Sequence, residues 1–163
     1  MKFILLTHQR ELLRPTNSGK LALDLLPEQS CLMVWDRVKP NADLLSYIET
    51  SHVGLVYPAE HSNSSKHIVL TEMSHAQLQL FEYVIILDST WQEARKMVNK
   101  SPYLQGLPTI EINCEYDSTF DLRRNQIEGG LCTAECVAML LKYNNQIQQS
   151  SDVLNSLHQF IVK

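Results

Sequence analysis

A run of apolar residues long enough to cross a membrane is missing from this chain, since a spanning helix needs about 20 of them. The first apolar stretch, Phe3 to Leu6, gives way at once to polar residues and is too short for the core of a signal peptide. The expected location is the cytosol, with no membrane partner. Excess positive charge is missing too: 14 Lys and Arg stand against 18 Asp and Glu, for a formal net charge of −4. That argues against coating nucleic acid through a broad basic surface. It leaves room for local basic patches, of which Lys2, His8, Arg10, Arg14 and Lys20 form one, Arg95, Lys96 and Lys100 a second, and Arg123 and Arg124 a third. The four cysteines, Cys31, Cys114, Cys132 and Cys136, contain no Cys-x-x-Cys pair, and Cys132 and Cys136 have no matching histidine pair. Buried, reduced thiols and no metal are expected. No internal repeat or low-complexity tract is found. What is there is a chain of 163 residues, 44% hydrophobic, which suits one ordinary globular domain with its own core.

The stretch from Tyr83 to Met97 organises the rest. Tyr83, Val84, Ile85, Ile86 and Leu87 read as a strand covered on both faces. Asp88, Ser89 and Thr90 break it. Thr90 and Glu93 have the spacing of a capping box, with Thr90 as N-cap and Glu93 at the third helical position. Trp91, Ala94 and Val98 then share one helical face, with Gln92, Glu93, Lys96 and Asn99 largely on others. This puts Asp88 at the carboxyl end of a strand, where ligands bind in open α/β sheets, beside a helix N-terminus that attracts anionic groups. A purely structural reading is also open: Asp88 and Thr90 would then only cap the turn.

Further strands are expected over Phe3–Leu6, Cys31–Trp35, Val53–Tyr57, His67–Leu70 and Thr109–Ile112. Helices are expected over Gly19–Leu26, with Ser18 as a candidate cap, over Ala42–Glu49 and over Ser74–Phe81. Two more follow from Cys132 to Tyr143 and around Val153–Ile161, separated at Asn144-Asn145. Thr7 to Asn17 reads as a polar loop, and Tyr116 to Gly130 as irregular. Strands alternating with helices predict an α/β fold with a mostly parallel sheet flanked by helices.

Asp88-Ser89-Thr90-Trp91 resembles the Asp-x-Thr-Trp signature of the DTW-domain family. Other blocks match in the family's order: His8-x-x-Glu11-x-x-Arg14-x-Thr16-Asn17, Tyr57-Pro58, and Arg124 with Leu131-Cys132-Thr133-Ala134-Glu135. Cys132 stands where many relatives have serine, and Ser18 where many have threonine. The resemblance covers most of the chain and implies one domain over residues 1–163. It also implies a SPOUT-like fold with a carboxyl-terminal trefoil knot, a feature that general topology rules make rare. Many relatives carry an amino-terminal cysteine cluster that this sequence does not show, which adds to the expectation of no zinc.

The activity implied is transfer of the 3-amino-3-carboxypropyl group of S-adenosylmethionine to N3 of a tRNA uridine, so tRNA is the expected partner. The chain itself is expected to be a monomer or a weak homo-oligomer. Such a reaction needs removal of the imide proton, alignment of the reacting atoms, and a grip on the donor's carboxylate and amine. Asp88 is the candidate base or uridine-orienting group, and Trp91 the other candidate catalytic residue, by stacking on a base or else as a core anchor. Arg14, Thr16, Asn17, Thr90, Leu131, Thr133 and Glu135 are candidates for holding the donor, arginine because it grips carboxylates bidentately. Thr133 also reads as a plain N-cap, with Glu135 in the first helical turn where negative charge is favoured. His8, Arg10, Arg95, Arg123 and Arg124 are the candidate RNA contacts, with ordinary solvated surface as the alternative. Two rival functions are a SPOUT-type methyltransferase and a non-catalytic RNA-binding module.

Overall fold

The computed structural model describes every residue except 16, 63, 71–74, 113–131 and 163; the side chains of 59, 161 and 162 are likewise not described. Among the described residues the apolar runs form six strands: β1 (Lys2–Thr7), β2 (Ser30–Val34), β3 (Val53–Val56), β4 (His67–Val69), β5 (Tyr83–Asp88) and β6 (Thr109–Glu111). They make one sheet in the order β2-β1-β5-β3-β6-β4, and all five pairings are parallel. A parallel sheet needs a crossover between successive strands. Among the described residues there are seven α-helices; α1 (Gly19–Leu25), α2 (Ala42–Thr50), α3 (His75–Gln79), α4 (Trp91–Asn99) and α5 (Pro102–Gln105) lie between strands, and α6 (Thr133–Tyr143) and α7 (Ile147–Val162) follow the last one.

Alternation along the central strands divides the core in two. Phe3, Leu5, Val84 and Ile86 face one layer with Ala22 of α1, Leu78 of α3, Val137 and Leu141 of α6 and Val153 of α7. Ile4, Leu6 and Ile85 face the other with Leu44 of α2, Met97 and Val98 of α4 and Leu104 of α5. Because β1 and β5 are buried on both faces, their sequences are continuous apolar runs. The expected α/β class with a parallel sheet is therefore found.

Several boundaries differ from the sequence expectation. Gln9–Leu13, read as loop, is a 3₁₀ helix. It is short and its Leu12 and Leu13 are exposed, so it shows no amphipathic period. The last helix begins at Ile147 rather than near Val153. Asn145, at φ 62°, makes the left-handed turn between α6 and α7, a conformation asparagine tolerates. Cys31 lies exposed on edge strand β2, against the expectation of a buried thiol, whereas Cys132 and Cys136 are buried. Among the described residues no helix is long and apolar enough to cross a membrane.

Candidate active site

β1 and β5 are neighbours whose chains leave in opposite directions: β1 leads through α1 to β2 on one side, and β5 leads through α4 and α5 to β6 on the other. α1 packs on one face of the sheet and α4 on the opposite face. The crevice at the carboxyl ends of two such strands is where open α/β sheets bind ligands. The last pair in register there is Thr7 opposite Asp88.

Asp88 is the centre of this crevice, with no exposed surface. Its Oδ1 accepts a hydrogen bond from the Thr133 hydroxyl at 2.8 Å. Its Oδ2 accepts one from Asn17 Nδ2 at 3.0 Å. The Thr7 hydroxyl lies 3.2 Å from Oδ2 and 3.0 Å from the Leu5 carbonyl, so its single proton has two acceptors to choose between. Asn17 spends its second amide proton on the Glu11 carbonyl at 3.0 Å, and its Oδ1 accepts the Gly19 amide at 2.7 Å. Gly19 has a steric reason to be glycine: a Cβ there would sit 2.9 Å from Asp88 Oδ2 and 3.0 Å from Asn17 Oδ1. The carboxyl group thus rests against the first residues of two helices, α1 and α6, where negative charge is favoured.

The capping box of α4 forms as its spacing predicts: the Glu93 amide donates to Thr90 Oγ1 at 3.2 Å and the Thr90 amide to Glu93 Oε1 at 2.9 Å. Two other caps are corrected. Ser18 stands at the N-cap position of α1 without capping it; its hydroxyl accepts the Ala134 amide at 3.1 Å, and so caps α6 from across the fold. Thr133 is not the N-cap of α6. Cys132 holds that position, its amide donating to Glu135 Oε1 at 3.1 Å, and Thr133 is freed to bind Asp88. Glu135 is 1% exposed beneath that cap. Burial first, and then the Glu135 charge, push the Cys132 thiol up to about 12, so it stays protonated.

A second cluster lies beside the first. Glu93, which its helical position had pointed outwards, is buried. Its Oε2 lies 3.6 Å from His8 Nδ1, 3.6 Å from Arg14 Nη2 and 4.0 Å from Arg10 Nη1. Arg14 also donates to the fully buried Glu11 at 2.6 Å. Burial works to raise the Glu93 carboxyl, but the Thr90 amide, the His8 ring and the Arg14 guanidinium outweigh it and hold it below the ordinary glutamate value. The His8 ring stacks on Trp35 with centroids 5.8 Å apart, and the two line a cleft of about 220 Å³ with Gln9, Asp36 and Arg37.

Trp91 is half-buried against the α4 layer, with its ring 5.7 Å from Tyr57 and 5.0 Å from His61. Burial raises the Tyr57 phenol, opposed by the charge and hydrogen bond of the exposed Arg95. Of the residues expected to act together, Asp88, Asn17 and Thr133 meet directly, and His8, Arg10 and Arg14 gather at Glu93. Trp91 and Arg95 sit with Tyr57 instead. Thr16, Leu131, Arg123 and Arg124 lie outside the described residues. Thr7, Gly19, Glu93 and Trp35 were not singled out by the sequence for the site. Thr7 had one available signal, as the first polar residue after the β1 apolar run.

Fold and crevice together define an α/β protein with a parallel sheet and a candidate ligand site at a switch point between two central strands. The DTW domain matches residues 1–163, and the chain belongs to this family, that of the tRNA-uridine aminocarboxypropyltransferases. No solved structure matches the chain.

Proposed function

We propose that this chain transfers the 3-amino-3-carboxypropyl group of S-adenosylmethionine to N3 of a uridine in tRNA, releasing methylthioadenosine. The observation that carries this reading is the meeting of three family blocks at one point. Asn17 and Thr133, 71 and 45 residues from Asp88, both donate to its carboxyl group at the carboxyl ends of the central strands. Such a convergence is expected of a site, since separate segments have no local reason to meet there.

In the reaction the uridine N3 bonds to the γ-carbon of the methionine moiety, the γ-carbon–sulfur bond breaks with its electron pair going to sulfur, and the imide proton is lost. The leaving group is a neutral thioether and needs no general acid. The protein's work is positioning, removal of one proton, and binding of the donor's charged head. The full burial of Asp88 and the hydrogen bonds its oxygens accept from Asn17 and Thr133 support a role in holding the crevice wall together rather than in touching the uridine. We assign it as a positioning residue, in place of the base or uridine-orienting group suggested by sequence. Arg10 and Arg14, at the rim, fit the donor's carboxylate, because both carry guanidinium groups with some exposure. Trp91 is half-exposed and suited to stack on a base. A SPOUT-like kinship and a carboxyl-terminal knot belong to this reading as well, supported by the all-parallel sheet and the packing of α6 and α7 back against α1.

The test is incubation with bulk tRNA and S-adenosylmethionine in the presence of a chelator, followed by nucleoside mass spectrometry. The expected product is aminocarboxypropyl-uridine. A methylated nucleoside, or no product on any tRNA, would overturn the proposal, and loss of donor binding on chelation would overturn the expectation that no metal is needed.

A further inference from the structure

Glu93 needs only one of its oxygens for the helix it caps. Oε1 accepts the Thr90 amide. Oε2 is buried, on a side chain with 9% exposure, and accepts no hydrogen bond among the described residues. An acceptor removed from water and left unfilled is destabilising. The neighbours do not fill it. Arg14 and His8 stand 3.6 Å off and Arg10 4.0 Å off. Arg14 is drawn away by its 2.6 Å bond to Glu11, and His8 Nδ1 accepts the Arg10 amide at 3.2 Å.

The charges around this oxygen select its ligand. A simple anion such as phosphate would meet the arginines but be repelled by Glu93 and Glu11. A simple cation would meet Glu93 but be repelled by Arg10 and Arg14. A zwitterion satisfies both signs: an ammonium group donates to the carboxylate while a neighbouring carboxylate accepts from the guanidinium groups. Arg10, 75% exposed, and Arg14, 34% exposed, leave such a group a way in.

We infer that Glu93 receives the α-ammonium group of an amino-acid-bearing ligand whose carboxylate is held by Arg14 and Arg10. This rests on the donor proposed above, in which that head is the group to be transferred, and it names the residues that orient it. Thr90, His8, Arg10 and Arg14 surround Glu93, whereas Thr7, Asn17 and Thr133 meet the Asp88 carboxyl group.

The test uses Glu93→Gln and two ligands in calorimetry. Glutamine completes a capping box as glutamate does, so α4 keeps its cap. S-adenosylmethionine carries the amino-acid head; methylthioadenosine keeps the nucleoside and sulfur but lacks it. The variant is expected to bind S-adenosylmethionine roughly 10–100-fold more weakly, the worth of a charge-assisted hydrogen bond. Binding of methylthioadenosine should be unchanged. Equal affinity of both proteins for S-adenosylmethionine would overturn the inference and leave Oε2 to a bound water, and so would an equal loss for both ligands. Should Glu93→Gln fold poorly, Arg10→Gln at the exposed rim decides instead: a several-fold loss for S-adenosylmethionine alone supports the head-group site, and no loss overturns it. If the wild-type chain binds no S-adenosylmethionine, the donor reading fails separately. Titration with L-methionine then settles the head-group site, since binding that Glu93→Gln abolishes supports it and absence of binding overturns it.

Discussion

Asp88, at the carboxyl end of β5, and Glu93, in the first turn of α4, are both buried carboxyl groups, and the chain surrounds them oppositely. Asp88 is met by neutral donors, Thr7, Asn17 and Thr133, brought from three segments to hydrogen-bonding distance. Glu93 is ringed by His8, Arg10 and Arg14 at 3.6 to 4.0 Å, and one oxygen has no hydrogen bond among the described residues. A carboxylate closed off by the fold's own donors serves the fold. One held among cations, with a lone pair to spare, is suited to a ligand. In the proposed reading, the two carboxyl groups divide the labour between holding the crevice wall and facing the substrate.

The largest effect that could break this contrast comes from Asp88→Ala. It strands the Asn17 amide and the Thr133 hydroxyl and opens a void, while Thr7 can turn to the Leu5 carbonyl. The expected loss is about 3–5 kcal/mol in urea unfolding. Asp88→Asn keeps the size and separates the two roles in catalysis. For a positioning residue, turnover falls and stays low as pH rises. For a base, the deficit shrinks in mild alkali, where the uridine imide ionises unaided. Single-turnover transfer across pH is the measurement, and recovery at high pH would return the base role to Asp88.

Gly19→Ala is the next test. Within a helix this change ordinarily stabilises by about 0.5–1 kcal/mol. Here the new methyl meets Asp88 Oδ2 and Asn17 Oδ1, atoms locked by hydrogen bonds rather than free to swing aside. The sign should reverse, to a loss of about 1–3 kcal/mol. A stabilised variant would mean that the cluster yields easily and does not brace the wall.

The parts of the molecule that the sequence made legible are those whose cause is local. The β5 run, the turn at Asp88 and the Thr90–Glu93 box are each written in consecutive residues, and each was found in place. The partners of Asp88 were not legible from pattern, because a hydrogen bond between Asn17 and Asp88 leaves no period in either segment. Ser18 and Thr133 misled for the same reason. Both have the chemistry of a local cap, and both spend their hydroxyls on distant segments. Glu93 was assigned outwards because amphipathic patterning places charge in water, and only the approach of His8 and the arginines covers it. The family resemblance supplied what periodicity could not, grouping Asn17, Asp88 and Thr133 before any distance was known.

Thr133→Val tests one strand of the hub with little change in shape. It removes the 2.8 Å bond to Asp88 Oδ1 but leaves the Cys132–Glu135 cap untouched. A loss of about 1–3 kcal/mol is expected, as for a hydrogen bond to a charged group, with Thr133→Ser restoring most of it. If the two variants are equally stable, the hydroxyl contributes nothing to the wall.

The smallest effect is the pH dependence carried by Glu93. In the folded chain, burial works to raise its carboxyl value, and the Thr90 amide, His8 and Arg14 together lower it below the ordinary 4.5. The folded state therefore binds the proton less readily than the unfolded state. Its contribution to stability is complete above that ordinary value and is lost as pH falls through the lower folded one. Wild type should accordingly lose more stability than Glu93→Gln on acidification through this window, with the two curves parallel near neutrality. A saturating ligand with an ammonium group on Oε2 adds another positive neighbour, which pulls the folded value further down and widens the gap between the curves. Methylthioadenosine, lacking that group, should leave the gap as it is. Urea titrations of both proteins over the acid range, with each ligand in turn, measure all of this. Coincident acid limbs would show that the Thr90 amide, His8 and Arg14 do not favour the Glu93 charge, and would remove the electrostatic half of the contrast with Asp88.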